Sequence, residues 1–203
     1  MPQENWIAIR QADENIEQLL GRYGFHIRSE DVIANPKSLT AVRAERRAPR
    51  GYSAFYVFRV APWTLILDSE GLLWEQLSLH SLASRLYGDR VVVVVARAPA
   101  GAFGFGIFEG GRVVRWIFRK GDVVGQTYGA QQPWETGDES PANIGPLLRE
   151  TQGIRIEEAP NVRVVYAFSP ELRPEPRGSR LRRLLRIRGR REAPGTFLNH
   201  RGG

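Results

Sequence analysis

"LSLHSLASRLYGDRVVVVVARA", residues 77 to 98, places two different hydrophobic periods side by side. In the first half Leu79, Leu82, Ala83 and Leu86 recur at i, i+3, i+4 and i+7, the spacing of one helix face. Ser78 is placed to cap this helix and Gly88 to end it. In the second half Val91 to Val95 run on without a polar break. A strand with one wet face would alternate, so the unbroken run predicts a strand covered on both faces. A helix beside a doubly covered strand points to an α+β domain with a layered core.

The flanking segments extend this pattern. "GYSAFYVFRV" and "PWTLILD" upstream are aromatic and β-branched, and Ala61-Pro62 marks a turn between them. Downstream, "AFGFGIFEGGRVVRWIF" reads as a hairpin turning at Gly110-Gly111, and "DVVGQTYG" as a further strand. Nearer the start, "NWIAI" (5 to 9) is a short strand. "ADENIEQLLGRYG" sets Ile16, Leu19, Leu20 and Tyr23 on one helical face and stops at Gly24. "FHIRSEDVIA" alternates like a half-buried strand, and residues 34 to 51 suit either a short polar helix or a loop. "GAQQPWETGDESPA" (129 to 142) reads as an acidic surface loop, "NIGPLLRET" as a short helix and "NVRVVYAF" as a last strand. The expectation is an antiparallel or mixed sheet of five to seven strands, with two or three helices packed mainly on one face, plus a basic C-terminal tail.

The stretch from residue 52 to 128 resembles a type of small uncharacterised bacterial α+β domain, in which an LS-containing helix precedes a valine-rich strand and a hairpin. The resemblance implies a fold and no activity. Small α+β domains of this kind include immunity and accessory proteins, an analogy of fold only.

Composition narrows the chemistry. The chain of 203 residues has no cysteine, which excludes disulfides, thiol nucleophiles and thiolate-held metals and fits a reducing compartment. The longest apolar run, Val91 to Ala96, is far below the roughly 20 residues of a membrane span. The first residues lack a basic stretch followed by an apolar one, so the expected location is the cytoplasm. Arginine outnumbers lysine 27 to 2, as in GC-rich bacterial genomes.

Charge divides the chain. Residues 1 to 176 carry 20 basic and 21 acidic side chains, whereas residues 177 to 203 carry nine arginines and one glutamate. The expected organisation is one domain over 1–169, a proline-rich linker over 170–178 and an arginine-rich tail over 179–203. In the tail, Ser179 can cap a helix from Arg180 to Arg188 with Leu181, Leu184, Leu185 and Ile187 on one side. Arg180, Arg182, Arg183, Arg186, Arg188, Arg190 and Arg191 are the candidate nucleic-acid or anion contacts. Leu181, Leu184 and Leu185 are candidate protein contacts. So short a helix is marginal alone in water, and nucleic acid, an anionic membrane, the body or a second copy would each fold it; a solvated terminus is the remaining alternative.

No catalytic motif emerges. His26, His80 and His200 lack metal spacing and read as surface residues; His80 falls off the leucine face of its helix. "GAFGFG" (101 to 106) alternates as a strand does, so Gly104 and Gly106 are expected to make room for a helix or a large neighbour on one face of the sheet rather than to cradle phosphate. Asp68 and Glu70 suit a polar turn better than a cation site, and Glu135, Asp138 and Glu139 a solvated loop tip. Trp63 and Trp116 are expected in the core. Trp134 is either a protein contact or a staple folded back on the body. No cofactor or metal is expected. The leading expectation is a non-catalytic cytoplasmic protein-interaction domain of accessory or immunity type with an unknown protein partner. The alternatives are a nucleic-acid-associated protein binding phosphates through its tail, and an enzyme with an unrecognised pocket.

Overall fold

The computed structural model describes residues 4–10, 16–34, 42, 48–68, 70–74, 76–87, 90–97, 100–121, 123–156 and 159–170. The linker beyond residue 170, the whole tail with its arginines and leucines, His200, and most of residues 34 to 51 lie outside them.

The described chain runs β1 (Glu4–Arg10), α1 (Ile16–Arg22), β2 (His26–Ala34), β3 (Ser53–Val60), β4 (Trp63–Asp68), α2 (Leu77–Leu86), β5 (Arg90–Arg97), β6 (Ala102–Glu109), β7 (Arg112–Lys120), β8 (Val123–Tyr128), α3 (Ile144–Thr151) and β9 (Asn161–Phe168). The strands form a single sheet in the order β2-β9-β3-β4-β1-β5-β6-β7-β8, and every neighbouring pair is antiparallel. The α+β class is as read from the sequence, but nine strands exceed the expected five to seven. Each of the nine segments reads as a strand by itself; only the sheet shows that all nine join it, including the edge strands β2 and β8, which are mostly exposed along their length.

The valine run of β5 is buried on both sides, as its continuity requires. Val92 and Val94 join Trp6, Tyr56, Leu65, Phe105, Ile117 and Val164 on one face, covered by Ile144 and Leu148 of α3. Val91, Val93 and Val95 join Ile7, Phe55, Ile66, Trp116 and Val165 on the other, covered by Ile16, Leu19 and Leu20 of α1, by Tyr23 just after it and by Ala83 of α2. Helices therefore cover both faces, with α1 and α2 on one and α3 on the other. Trp63 and Trp116 are buried as expected. Glycines turn the chain where they were expected to. Gly24 (φ +80°) ends α1, and Gly110 and Gly111 (φ +53° and +85°) turn the β6–β7 hairpin.

Helix α2 departs from its expected orientation. It starts after Gln76 with no side-chain cap, so Ser78 does not cap it. Its buried residues are His80, Ala83 and Ser84, while Leu77 and Leu86 are exposed. The small side chains of Ala83 and Ser84 let the helix lie close to β5 and β6. Ser84 Oγ accepts the Gly111 N–H at 2.9 Å, tying the helix to the hairpin turn. Close approach at small residues outweighs the leucine periodicity read from the sequence.

Candidate functional site: the β8 edge and its polar supports

β8 is exposed at all six positions, yet it holds its place in the sheet. Burial cannot be what holds it. Side chains from β7 do so, one on each face.

On the α3 face the support is Arg115. Its guanidinium donates to Thr127 Oγ1 at 2.9 Å and to the carbonyls of Tyr128 at 3.3 Å and Gly129 at 2.9 Å. Its other edge pairs with Glu135, Nε to Oε1 at 2.9 Å and Nη2 to Oε2 at 2.7 Å. Both side chains are more than nine-tenths buried. Glu135 Oε1 also accepts the Gln132 N–H at 2.7 Å, and its carbonyl accepts from Gln131 Nε2 at 2.8 Å. The pair thus fastens both the end of β8 and the loop that follows. A bidentate, desolvated pair with its remaining valences filled is the geometry in which a buried ion pair holds. Glu135 is not part of a solvated acidic tip, as its surroundings in sequence suggested; only its neighbours Asp138 and Glu139 serve the exposed loop. The signal available beforehand was Arg115 itself, a charge in the middle of the apolar "VVRWIF", which requires a carboxylate from elsewhere.

The same loop carries Trp134. Its ring lies 5.0 Å from that of Phe105 and packs, partly buried, on the α3-side core. Of the two roles read for Trp134, this packing supplies the staple.

On the α1/α2 face the support is Trp116, whose Nε1 donates to Gln126 Oε1 at 3.3 Å. Trp74 stacks on Trp116 with ring centroids 4.2 Å apart. The two indoles occupy the space that Gly104 and Gly106 leave open. A Cβ on Gly104 would stand 2.7 Å from Trp74, and one on Gly106 2.6 Å from Trp116. The "GAFGFG" glycines therefore make room for large neighbours, as their strand spacing implied.

Trp74 is delivered to this stack by the loop after β4, and two buried polar groups shape that loop. Asp68 accepts the N–H groups of Glu70 at 3.1 Å, Gly71 at 2.9 Å and Leu73 at 2.8 Å. It is a polar turn, as expected, built beneath the surface. Burial pushes the Asp68 carboxyl up to about 6 even against these hydrogen bonds. His80 is fully buried and is not a surface residue. Its Nε2 faces the Trp74 carbonyl at 3.4 Å and so carries the proton; its Nδ1 accepts the Tyr23 hydroxyl at 2.8 Å. Burial pushes the His80 imidazolium down to about 4 and the Tyr23 phenol up. Neutral His80 links α1, α2 and the Trp74 loop. The sequence hid this because the partners lie 57 and 6 residues away.

These two groups act oppositely on stability. Asp68 favours the fold below its unfolded value of 3.8, and that contribution is lost as pH rises through about 6. His80 favours the fold above 6.5, and that contribution is lost as pH falls through about 4. Each effect is on the order of 3 kcal/mol, so they nearly cancel between those limits. Replacing Asp68 by Asn removes one side of the balance. The expected result is a D68N variant whose stability falls on acidification from about pH 6.5 to about pH 4.5 by roughly 2 kcal/mol more than the wild type's. Urea unfolding at about pH 4.5 and about pH 6.5 measures it. Equal slopes in the two proteins would show that Asp68 is ionised throughout.

Among the described residues no group of three or more His, Asp or Glu side chains is arranged to hold a metal ion, and no helix is long and apolar enough to cross a membrane. No protein-family model, curated protein or solved structure matches this chain.

Proposed function

We propose that this domain is a protein-binding module of accessory type that works by strand addition at the β8 edge. The contrast between the two edges of the sheet supports this reading. β2 carries His26, Arg28, Glu30 and Asp31, and Arg163 of β9 reaches across to pair with Glu30. Charges along an edge discourage pairing with a foreign strand. β8, "VVGQTY", carries none, and it exposes Val123, Val124 and Tyr128 at 68%, 47% and 62%. In any antiparallel edge strand, alternate residues direct their N–H and C=O groups outward. An uncharged edge held rigidly from both faces is suited to accept an added strand, with side-chain contacts for selectivity. The titratable groups with strongly shifted equilibria, Asp68, His80 and Tyr23, are bonded inward to their own chain, which favours a binding role over a catalytic one. The cysteine-free composition fits the cytoplasm as the setting.

A photo-crosslinking residue placed singly at Val124 and at Val32 tests the edge. Both positions are exposed and apolar, one on β8 and one on β2. Irradiation in the source cells is expected to yield a discrete adduct from position 124 and none from position 32. Equal labelling of both positions, or of neither, would refute the reading. A second reading places binding in the arginines of the tail, supported by the near-neutral body and the strongly basic segment after residue 176. Changing Arg182, Arg183, Arg186 and Arg190 to glutamine discriminates. Loss of the adduct in that variant would move the site to the tail.

A further inference from the structure

We infer that the strand added at β8 is β8 of a second copy of this chain, so that two sheets join edge to edge in an antiparallel pair. The inference rests on the strand-addition reading and names the partner. The register between β7 and β8 carries it. Trp116, Phe118 and Lys120 lie opposite Tyr128, Gln126 and Val123, while Ile117 and Arg119 lie opposite Thr127 and Val124. The register shifts between Phe118 and Arg119, where Gly125 is the extra residue of a bulge. The shift puts Val123 on the same face as Tyr128, and Val124 on the same face as Thr127. Without it, the two members of each pair would fall on opposite faces.

This arrangement is self-complementary. A two-fold axis normal to the sheet, near the Gly125–Gln126 bond, sets Val123 opposite the second copy's Tyr128 and Val124 opposite its Thr127. Members of each pair then point the same way, as cross-strand neighbours must. One pair is β-branched against aromatic and the other β-branched against β-branched, both favourable. No charge faces a like charge within the six residues. The bodies to be joined carry a net charge of only −1 over residues 1 to 176, so they do not repel one another strongly. The opposite edge is less suited, because an antiparallel self-pairing of β2 brings Arg28, Glu30 and Asp31 into the seam, where they would lose hydration.

The strength follows from the size of the contact. About four backbone hydrogen bonds at about 1 kcal/mol net each, with two side-chain pairs on each side of the axis, only modestly exceed the cost of association. Self-association is therefore expected in the micromolar range or weaker, responsive to concentration.

Sedimentation velocity of the full-length protein tests this from about 1 μM to about 500 μM, in enough salt to screen the basic tails. The wild type is expected to pass from monomer to dimer across this range. The substitutions are made at Val123 and Tyr128, because Thr127 Oγ1 accepts from Arg115 and is needed to hold β8. V123E/Y128E sets glutamate against glutamate twice and should weaken the dimer at least about tenfold. V123E/Y128K sets glutamate against lysine twice and should restore it. Val123 and Tyr128 are both exposed, so unchanged circular dichroism and melting would confirm intact folding in both variants. A wild type that stays monomeric throughout overturns the inference. So does a dimer unaffected by V123E/Y128E, or one lost equally in both variants. If the wild type is monomeric but the crosslinker at position 124 still captures a chain of different mass, the added strand comes from another protein. In that case the second copy is excluded and the strand-addition reading survives.

Discussion

Replacing Glu135 by Ala is expected to destabilise the domain by about 3–5 kcal/mol, because the Arg115 guanidinium would remain buried without its carboxylate. The cost is that of a stranded charge, not of the bonds alone. The double variant R115A/E135A should therefore lose less than E135A alone, a marked departure from additivity. Part of the loss persists in the double variant, since Arg115 also binds Thr127 and the carbonyls of Tyr128 and Gly129. Urea unfolding of the four proteins in the cycle measures the coupling. Amide hydrogen exchange should show the loss concentrated in β8, which has no burial of its own to fall back on. An E135A protein within about 1 kcal/mol of the wild type would mean that Arg115 relaxes to water and that β8 is held some other way. Since the proposed binding edge depends on this pair, the same variant should also lose the adduct at position 124.

Gly104→Val is expected to be comparably damaging, by at least about 3 kcal/mol. The first added carbon alone would stand 2.7 Å from the Trp74 ring and 2.7 Å from the Ile117 carbonyl oxygen. The carbonyl belongs to the β6–β7 ladder and cannot move aside without breaking the pairing of Gly104 with Phe118. The indole must yield, and with it the stack on Trp116. Two stacked indoles should produce an exciton signal in the far-ultraviolet circular dichroism of the wild type, where the strong indole transitions couple, and G104V should abolish it. W74A/G104V should lose less than the sum of the two single variants, because removing the ring relieves part of the clash. A G104V protein that keeps the signal and melts with the wild type would show that the space above Gly104 is open.

The local periods in this chain were sufficient for much of the framework. The unbroken valines of β5 specified burial on two faces, because a half-wet strand would have alternated. The strand spacing of Gly104 and Gly106 announced large neighbours, and Gly110-Gly111 announced a hairpin. Each of these signals lies within a few residues of the feature it determines. What the sequence could not convey was convergence between distant segments. His80 looked like a surface residue because its helix has a leucine stripe elsewhere; only the approach of α2 through Ala83 and Ser84 turns it inward, onto Tyr23 and the Trp74 carbonyl. Glu135 looked solvated beside Asp138 and Glu139, and only the sheet brings Arg115 to it across 20 residues. β8 gave a weak strand signal because an edge strand exposed on both faces has no hydrophobic period to display. Hydrophobic burial is legible locally because it imprints a period on the chain. A buried polar pair or an open strand edge leaves no period, because its determinants are the geometry of other elements, and that geometry exists only once the sheet has formed.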